Sequence, residues 1–140
     1  MKKQKKSGWR GYVSSREING QLIPQRVQNL VLRTYAEKAG IRYLLSATEY
    51  HIPGSFMMLE SLYAGLRGLE GLLFYSMYQL PETAAARREL YATLSKAGCG
   101  LRFALEELEV ETAADARLIE DALVCRALSR KADLSILSRR

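Results

Sequence analysis

The chain has 140 residues, 48% of them hydrophobic and 26% charged, a balance that fits one globular domain and excludes disordered and collagen-like chains. No apolar run reaches the ~20 residues of a membrane span, and no apolar stretch follows the basic start Met1-Lys2-Lys3-Gln4-Lys5-Lys6 to make a secretory signal. The formal net charge of +6 sits at the ends: four lysines in residues 1–6, and five basic residues against Asp133 in residues 126–140, leave residues 7–125 with 12 basic and 14 acidic side chains. A nucleic-acid-binding domain spreads Lys and Arg over the face that meets phosphate, so nucleic acid is disfavoured as a partner. Residues 1–7 and 129–140 read as basic tails around an α/β domain spanning 8–128. Cys99 and Cys125 lack metal-ligand spacing and read as reduced, buried thiols of a cytoplasmic protein, with no metal or cofactor implied.

Trp9 to Ser15 reads as a strand. Asn19-Gly20 is a turn, and Pro24 suits the first turn of a helix carrying Val27, Leu30, Val31 and Tyr35, stopped by Lys38 and Gly40. Ile41 to Ala47 is a second strand, broken at Pro53-Gly54. A second helix bears Met58, Leu59, Leu62, Tyr63 and Leu66. The apolar run within Leu69–Met77 suits a strand covered on both faces. After Pro81 and Glu82 a third helix carries Ala86, Leu90, Tyr91 and Leu94, and Cys99 to Leu105 makes a fourth strand. Thr112, with Asp115 three residues on, opens a fourth helix to about Arg130. Strand and helix alternate four times, which predicts right-handed crossovers and a single α/β domain: a mostly parallel sheet of four or more strands with helices on both faces.

In such a sheet, ligands bind beyond the carboxyl ends of the strands. That rule gathers Ser14, Ser15 and Arg16 with Ser46, Thr48, Glu49, Tyr50 and His51, then Tyr75 and Gln79, and lastly Glu106 and Glu107. Ser14, Ser15 and Glu49 are the catalytic candidates, as hydroxyl nucleophiles and a general base. Arg16, Gln25, Arg26, Ser46, Thr48, Tyr50, Tyr75 and Gln79 are candidates for ligand binding. The bland readings are a turn for the serines, a solvated surface for Arg16, and a structural or exposed role for the lone His51. Glu106 and Glu107 open an acidic run that reads as a solvated face, and Tyr35, Tyr63 and Tyr91 read as core. No Gly-rich phosphate loop is present. The fourth helix carries more apolar surface (Leu118, Ala122 and Leu123, then Ile119, Cys125, Ala127 and Leu128) than one sheet needs, which predicts a homodimer. The alternative cover is the tail Leu134–Leu137 folding back.

Two resemblances rest on longer motifs. Gly11-Tyr12-Val13-Ser14-Ser15-Arg16, Ile23 to Val31, Leu44 to Tyr50, Met58-Leu59-Glu60 and Tyr75 to Glu82 resemble the sporadic carbohydrate cluster protein family over most of residues 8–125. That resemblance implies a role in bacterial surface-polysaccharide biosynthesis. More distantly, a serine after the first strand, a helix opening near a glutamine and an acid after the second strand resemble the catalytic domain of serine recombinases. In those enzymes a serine attacks DNA phosphate and arginines stabilise the transferring group. Here Tyr75-Ser76-Met77-Tyr78-Gln79-Leu80-Pro81 holds no arginine, so this resemblance implies the resolvase-like fold and not the activity. The leading expectation is therefore an accessory protein or small enzyme of capsule or lipopolysaccharide biosynthesis that binds a sugar or sugar-nucleotide. A non-catalytic interaction protein of the same pathway comes second, and a recombinase relative acting on DNA third.

Overall fold

The computed structural model describes residues 6–50 and 55–138, with side chains described to residue 132. His51 and the Pro53-Gly54 break lie outside the described residues. The chain divides into Met1–Val110 and Glu111–Arg140.

In the first unit, strands β1 (Trp9–Ser14), β2 (Tyr43–Glu49), β3 (Gly71–Phe74), β4 (Gly100–Phe103) and β5 (Leu108–Val110) form one sheet in the order β2-β1-β3-β4-β5. The first four are parallel, and β5 returns antiparallel to β4. Helix α1 (Gln25–Ala39) joins β1 to β2. Helix α2 (Met57–Tyr63) and a short 3-10 turn lead to β3, and α3 (Ala84–Lys96) leads to β4. The crossover from β1 to β2 runs one way across the sheet and the two later crossovers run the other way. Right-handed connections therefore put α1 on one face and α2 and α3 on the opposite face. This is the mostly parallel α/β sheet with helices on both faces that the alternation predicts. Strand β5 is an addition: three residues with two exposed side chains give no apolar period to read.

Alternation along the strands divides the core. Trp9, Val13, Leu73 and Tyr75 pack with Leu32, Tyr35 and Ala36 of α1. Tyr12 and Phe74 stack on the other face at 4.6 Å between centroids, and Phe103 meets Phe74 edge-on at 5.9 Å. The Trp9 indole crosses the strand starts because Gly71 and Gly100 leave room for it; a Cβ on Gly100 would lie 2.7 Å from the indole. Arg102 stacks on the same indole at 4.8 Å.

Several sequence expectations shift. The buried stripe of α1 is Gln28, Leu32, Tyr35 and Ala36, whereas Val27 and Leu30 face solvent. The helix has apolar residues on two sides, and the covered side includes a polar one. Its stop is as expected: Gly40 sits at φ 69°, where a left-handed residue closes the helix and glycine avoids a Cβ clash. Tyr75 is buried in the α1-side core rather than offered to a ligand. The two thiols are not both buried: Cys125 is exposed, and Cys99 is half-buried, its thiol donating to the Leu66 carbonyl at 3.1 Å and raised by burial.

The second unit holds α4 (Ala113–Ser138). Its start follows the expected motif: the Thr112 hydroxyl accepts from the Asp115 amide at 3.2 Å, and the Asp115 carboxylate accepts from the Glu111 and Thr112 amides. Those amides hold the Asp115 carboxyl below its usual range. The helix continues to Ser138 through the stretch read as a tail from residue 129, so the backbone of 134–137 extends α4 instead of folding back. Among the described residues no helix is long and apolar enough to cross a membrane.

Candidate functional site

Residues at the carboxyl ends of β1, β2 and β3 converge, and a hydrogen-bonded chain joins them. Ser14 pairs with Glu49 across β1 and β2. Gln28 of α1 grips the backbone of β1 from the side: its carbonyl oxygen accepts from the Ser14 amide at 2.9 Å, and its amide group donates to the Ser14 carbonyl at 2.7 Å. Gln79 closes the network by donating to the Ser14 hydroxyl at 3.0 Å, while its own oxygen accepts from the Ser76 amide. Ser14, Gln28, Glu49, Ser76 and Gln79 are all buried, and no buried side-chain polar atom lacks a partner among the described residues. Satisfaction of that order makes a rigid frame.

Glu49 anchors the second half. It accepts from the Tyr12 hydroxyl at 3.0 Å and from the Met58 and Leu59 amides at the start of α2 at 3.1 Å. Burial, reinforced by the neighbouring Glu49, raises the Tyr12 phenol far above its ordinary range, so it stays a donor. Arg16 donates to the same phenol oxygen at 3.4 Å and to the Ser55 carbonyl at 3.3 Å, with its guanidinium over the Phe56 ring at 4.1 Å. Beside it, the half-buried Ser15 donates from its amide and its hydroxyl to the Glu49 carbonyl, at 2.9 and 3.3 Å.

The structure thus brings Ser14, Ser15, Arg16, Glu49 and Gln79 together, as the topology argument requires. It divides them by accessibility. Ser14, Glu49 and Gln79 are enclosed, and only Ser15 and Arg16 keep surface. The other candidates scatter. Ser46 points to α1 and donates to Asn29 at 2.8 Å, and by alternation Thr48 shares that face. Tyr50 is exposed just past β2, while Gln25 and the exposed Arg26 lie in the first turn of α1. Glu106 is not a solvated side chain: it accepts from the Ser76 hydroxyl at 2.7 Å and the Met77 amide at 2.9 Å. Glu107 does face solvent, pairing with Lys38. Tyr12 and Gln28 were hidden in the sequence, one as a strand aromatic and the other as a polar residue on a helix stripe. Among the described residues, no set of three His, Cys, Asp or Glu side chains gathers to hold a metal.

Solved structures share this fold. The chain is similar to the N-terminal catalytic domain of TP901-1 integrase, with a TM-score of 0.60 and 15% identity, over 88% of this chain and 98% of that one. It is similar also to a resolvase family site-specific recombinase from Streptococcus pneumoniae, with a TM-score of 0.62 and 10% identity, over 93% and 96%. No family model and no curated protein matches the sequence. The fold is therefore that of resolvase-type catalytic domains. The surface-carbohydrate reading is corrected by these neighbours, which are recombinase domains, and so is the exclusion of nucleic acid as a partner.

Proposed function

We propose that the protein is a relative of the serine recombinases and acts on DNA. The observation that carries this reading is the pairing of a resolvase-type sheet with a hydroxyl and a guanidinium, Ser15 and Arg16, at the carboxyl end of the interior strand β1. Ser14 is enclosed and held at its backbone and its hydroxyl, so Ser15 is the serine that a phosphodiester can reach. In strand transfer, the Ser15 oxygen forms a bond to phosphorus while a phosphorus–oxygen bond to one deoxyribose breaks. The hydroxyl proton leaves with the departing sugar oxygen. Arg16, oriented by Phe56, Ser55 and Tyr12, faces the charge on the non-bridging oxygens.

A second reading, DNA binding without cleavage, is favoured by one observation. The loop from Tyr75 to Pro81 supplies no arginine, and Arg87 beyond it bonds the Pro81 and Glu82 carbonyls. One experiment separates the readings. The full chain is incubated with duplex DNA and resolved on native and denaturing gels. A salt-sensitive shift supports action on DNA, and an adduct that survives denaturation in the native protein but not in Ser15→Ala supports the nucleophile. A shift without an adduct selects the second reading. No shift at low salt overturns both.

A further inference from the structure

At the other end of the strands from Ser15, a groove of about 620 Å³ wraps the edge strand β2, lined by Arg10, Arg33, Tyr43, Leu44, Leu45 and Leu69. It is a shallow depression, open to solvent over most of its extent, so a ligand seated there stays partly exposed. The pairing of β1 with β2 slips there: Trp9 faces Tyr43 and Gly11 faces Ser46, so Leu44 and Leu45 together oppose Arg10. Such a bulge re-aims side chains, and Leu45 stands 79% exposed, on a chain whose other β2 side chains between Tyr43 and Glu49 are half-buried or buried.

The charges in the groove have one sign. Arg10 spends only its Nε, which donates to the bulged Leu45 carbonyl at 2.7 Å; this fixes the guanidinium plane and leaves both terminal nitrogens without a partner among the described residues. Arg33, exposed on α1, has no hydrogen bond or ion pair among the described residues. No carboxylate lines the groove. Tyr43 is held in orientation by the bond from its hydroxyl to Asn29 at 3.3 Å. Two guanidinium forks suit phosphate oxygens, and Tyr43 with the leucines offers an apolar wall to a planar ring.

We infer that this groove binds a mononucleotide, with its phosphate on Arg10 and Arg33 and its base against Tyr43 and the leucines. The inference does not depend on the DNA reading, because it uses neither Ser15 nor Arg16. Calorimetric titration of the full chain with adenosine monophosphate, adenosine and inorganic phosphate tests it. The nucleotide is expected to bind, and each fragment to bind at least tenfold more weakly. Arg33→Ala, on an exposed helix position that leaves the fold intact, is expected to weaken the nucleotide about tenfold, and Tyr43→Leu to weaken nucleotide and adenosine while sparing phosphate. Absence of nucleotide binding at millimolar concentration overturns the inference. So does binding that is unchanged in Arg33→Ala, or that is lost in Arg16→Ala instead.

Discussion

The Tyr12 hydroxyl stands between a guanidinium and a carboxylate, donating to Glu49 and accepting from Arg16. Its removal in Tyr12→Phe takes one donor from a buried carboxylate, and a hydrogen bond to a charged group contributes roughly 1.5–3 kcal/mol. The expected outcome is a loss of that size in denaturant titration, together with a more mobile Arg16; an unchanged midpoint would show that the bond is idle. Tyrosines also set the alkaline limit. Burial, with Glu89 and Glu60 nearby, pushes the Tyr63 phenol up to about 12, whereas a free phenol ionises near 10. Between those values the folded state holds the proton that the unfolded chain has lost. The stabilisation is complete below about pH 10 and disappears as pH rises toward about 12. Tyr63→Phe is therefore expected to flatten the fall in unfolding midpoint over that window. Equal slopes for the two proteins would refute the assignment.

At the scale of elements, the strand–helix alternation was legible because each piece ends on backbone chemistry: Gly40 at φ 69° after α1, Gly98 at φ 70° after α3, and the Thr112–Asp115 pair before α4. What stayed illegible depends on partners distant in the sequence. Gln28 is buried because β1 offers it a free amide and carbonyl at Ser14, and no period within α1 reveals that. Glu106 belongs to an acidic run by composition and to the Ser76 loop by position. The serines and Glu49 could be grouped from topology, but which of them keeps surface could not. Helix α4 permits a sharper test of the expected homodimer. Leu118 and Leu123 lie 140° apart at the helical period, so they do not share a face. Leu118, Cys125 and Leu128 do share one, and all three are exposed, whereas Leu123 is half-buried. Leu118→Asp and Leu128→Asp, more than Leu123→Asp, are expected to shift the mass in light scattering from dimer to monomer. Mild oxidation is expected to link two chains through Cys125. A native protein that is already monomeric at micromolar concentration removes the dimer altogether.

For the whole molecule, the summed charge hides an uneven distribution along the chain. Residues 7–125 average to a slight negative charge only because Glu106, Glu107, Glu109, Glu111, Asp115, Glu120 and Asp121 fall within one short stretch. From the start of β1 to the end of β2, loops included, the sign reverses: Arg10, Arg16, Arg26, Arg33, Lys38 and Arg42 stand against Glu17, Glu37 and the enclosed Glu49. A sum over the domain cancels charges that a long anion, meeting one part of it, would feel separately. The ends remain the densest source of positive charge, with Lys2, Lys3, Lys5 and Lys6 at the start and Arg130, Lys131, Arg139 and Arg140 at the finish. If these side chains neutralise DNA phosphates, replacing all eight with Gln lowers the slope of log affinity against log salt by about 0.9 for each phosphate no longer neutralised. Binding to duplex DNA is then expected to become weak and nearly salt-independent, with the thermal unfolding midpoint unchanged. Retention of tight, salt-sensitive binding in the eight-fold variant would refute the role of the ends and assign the phosphates to the arginines between the start of β1 and the end of β2.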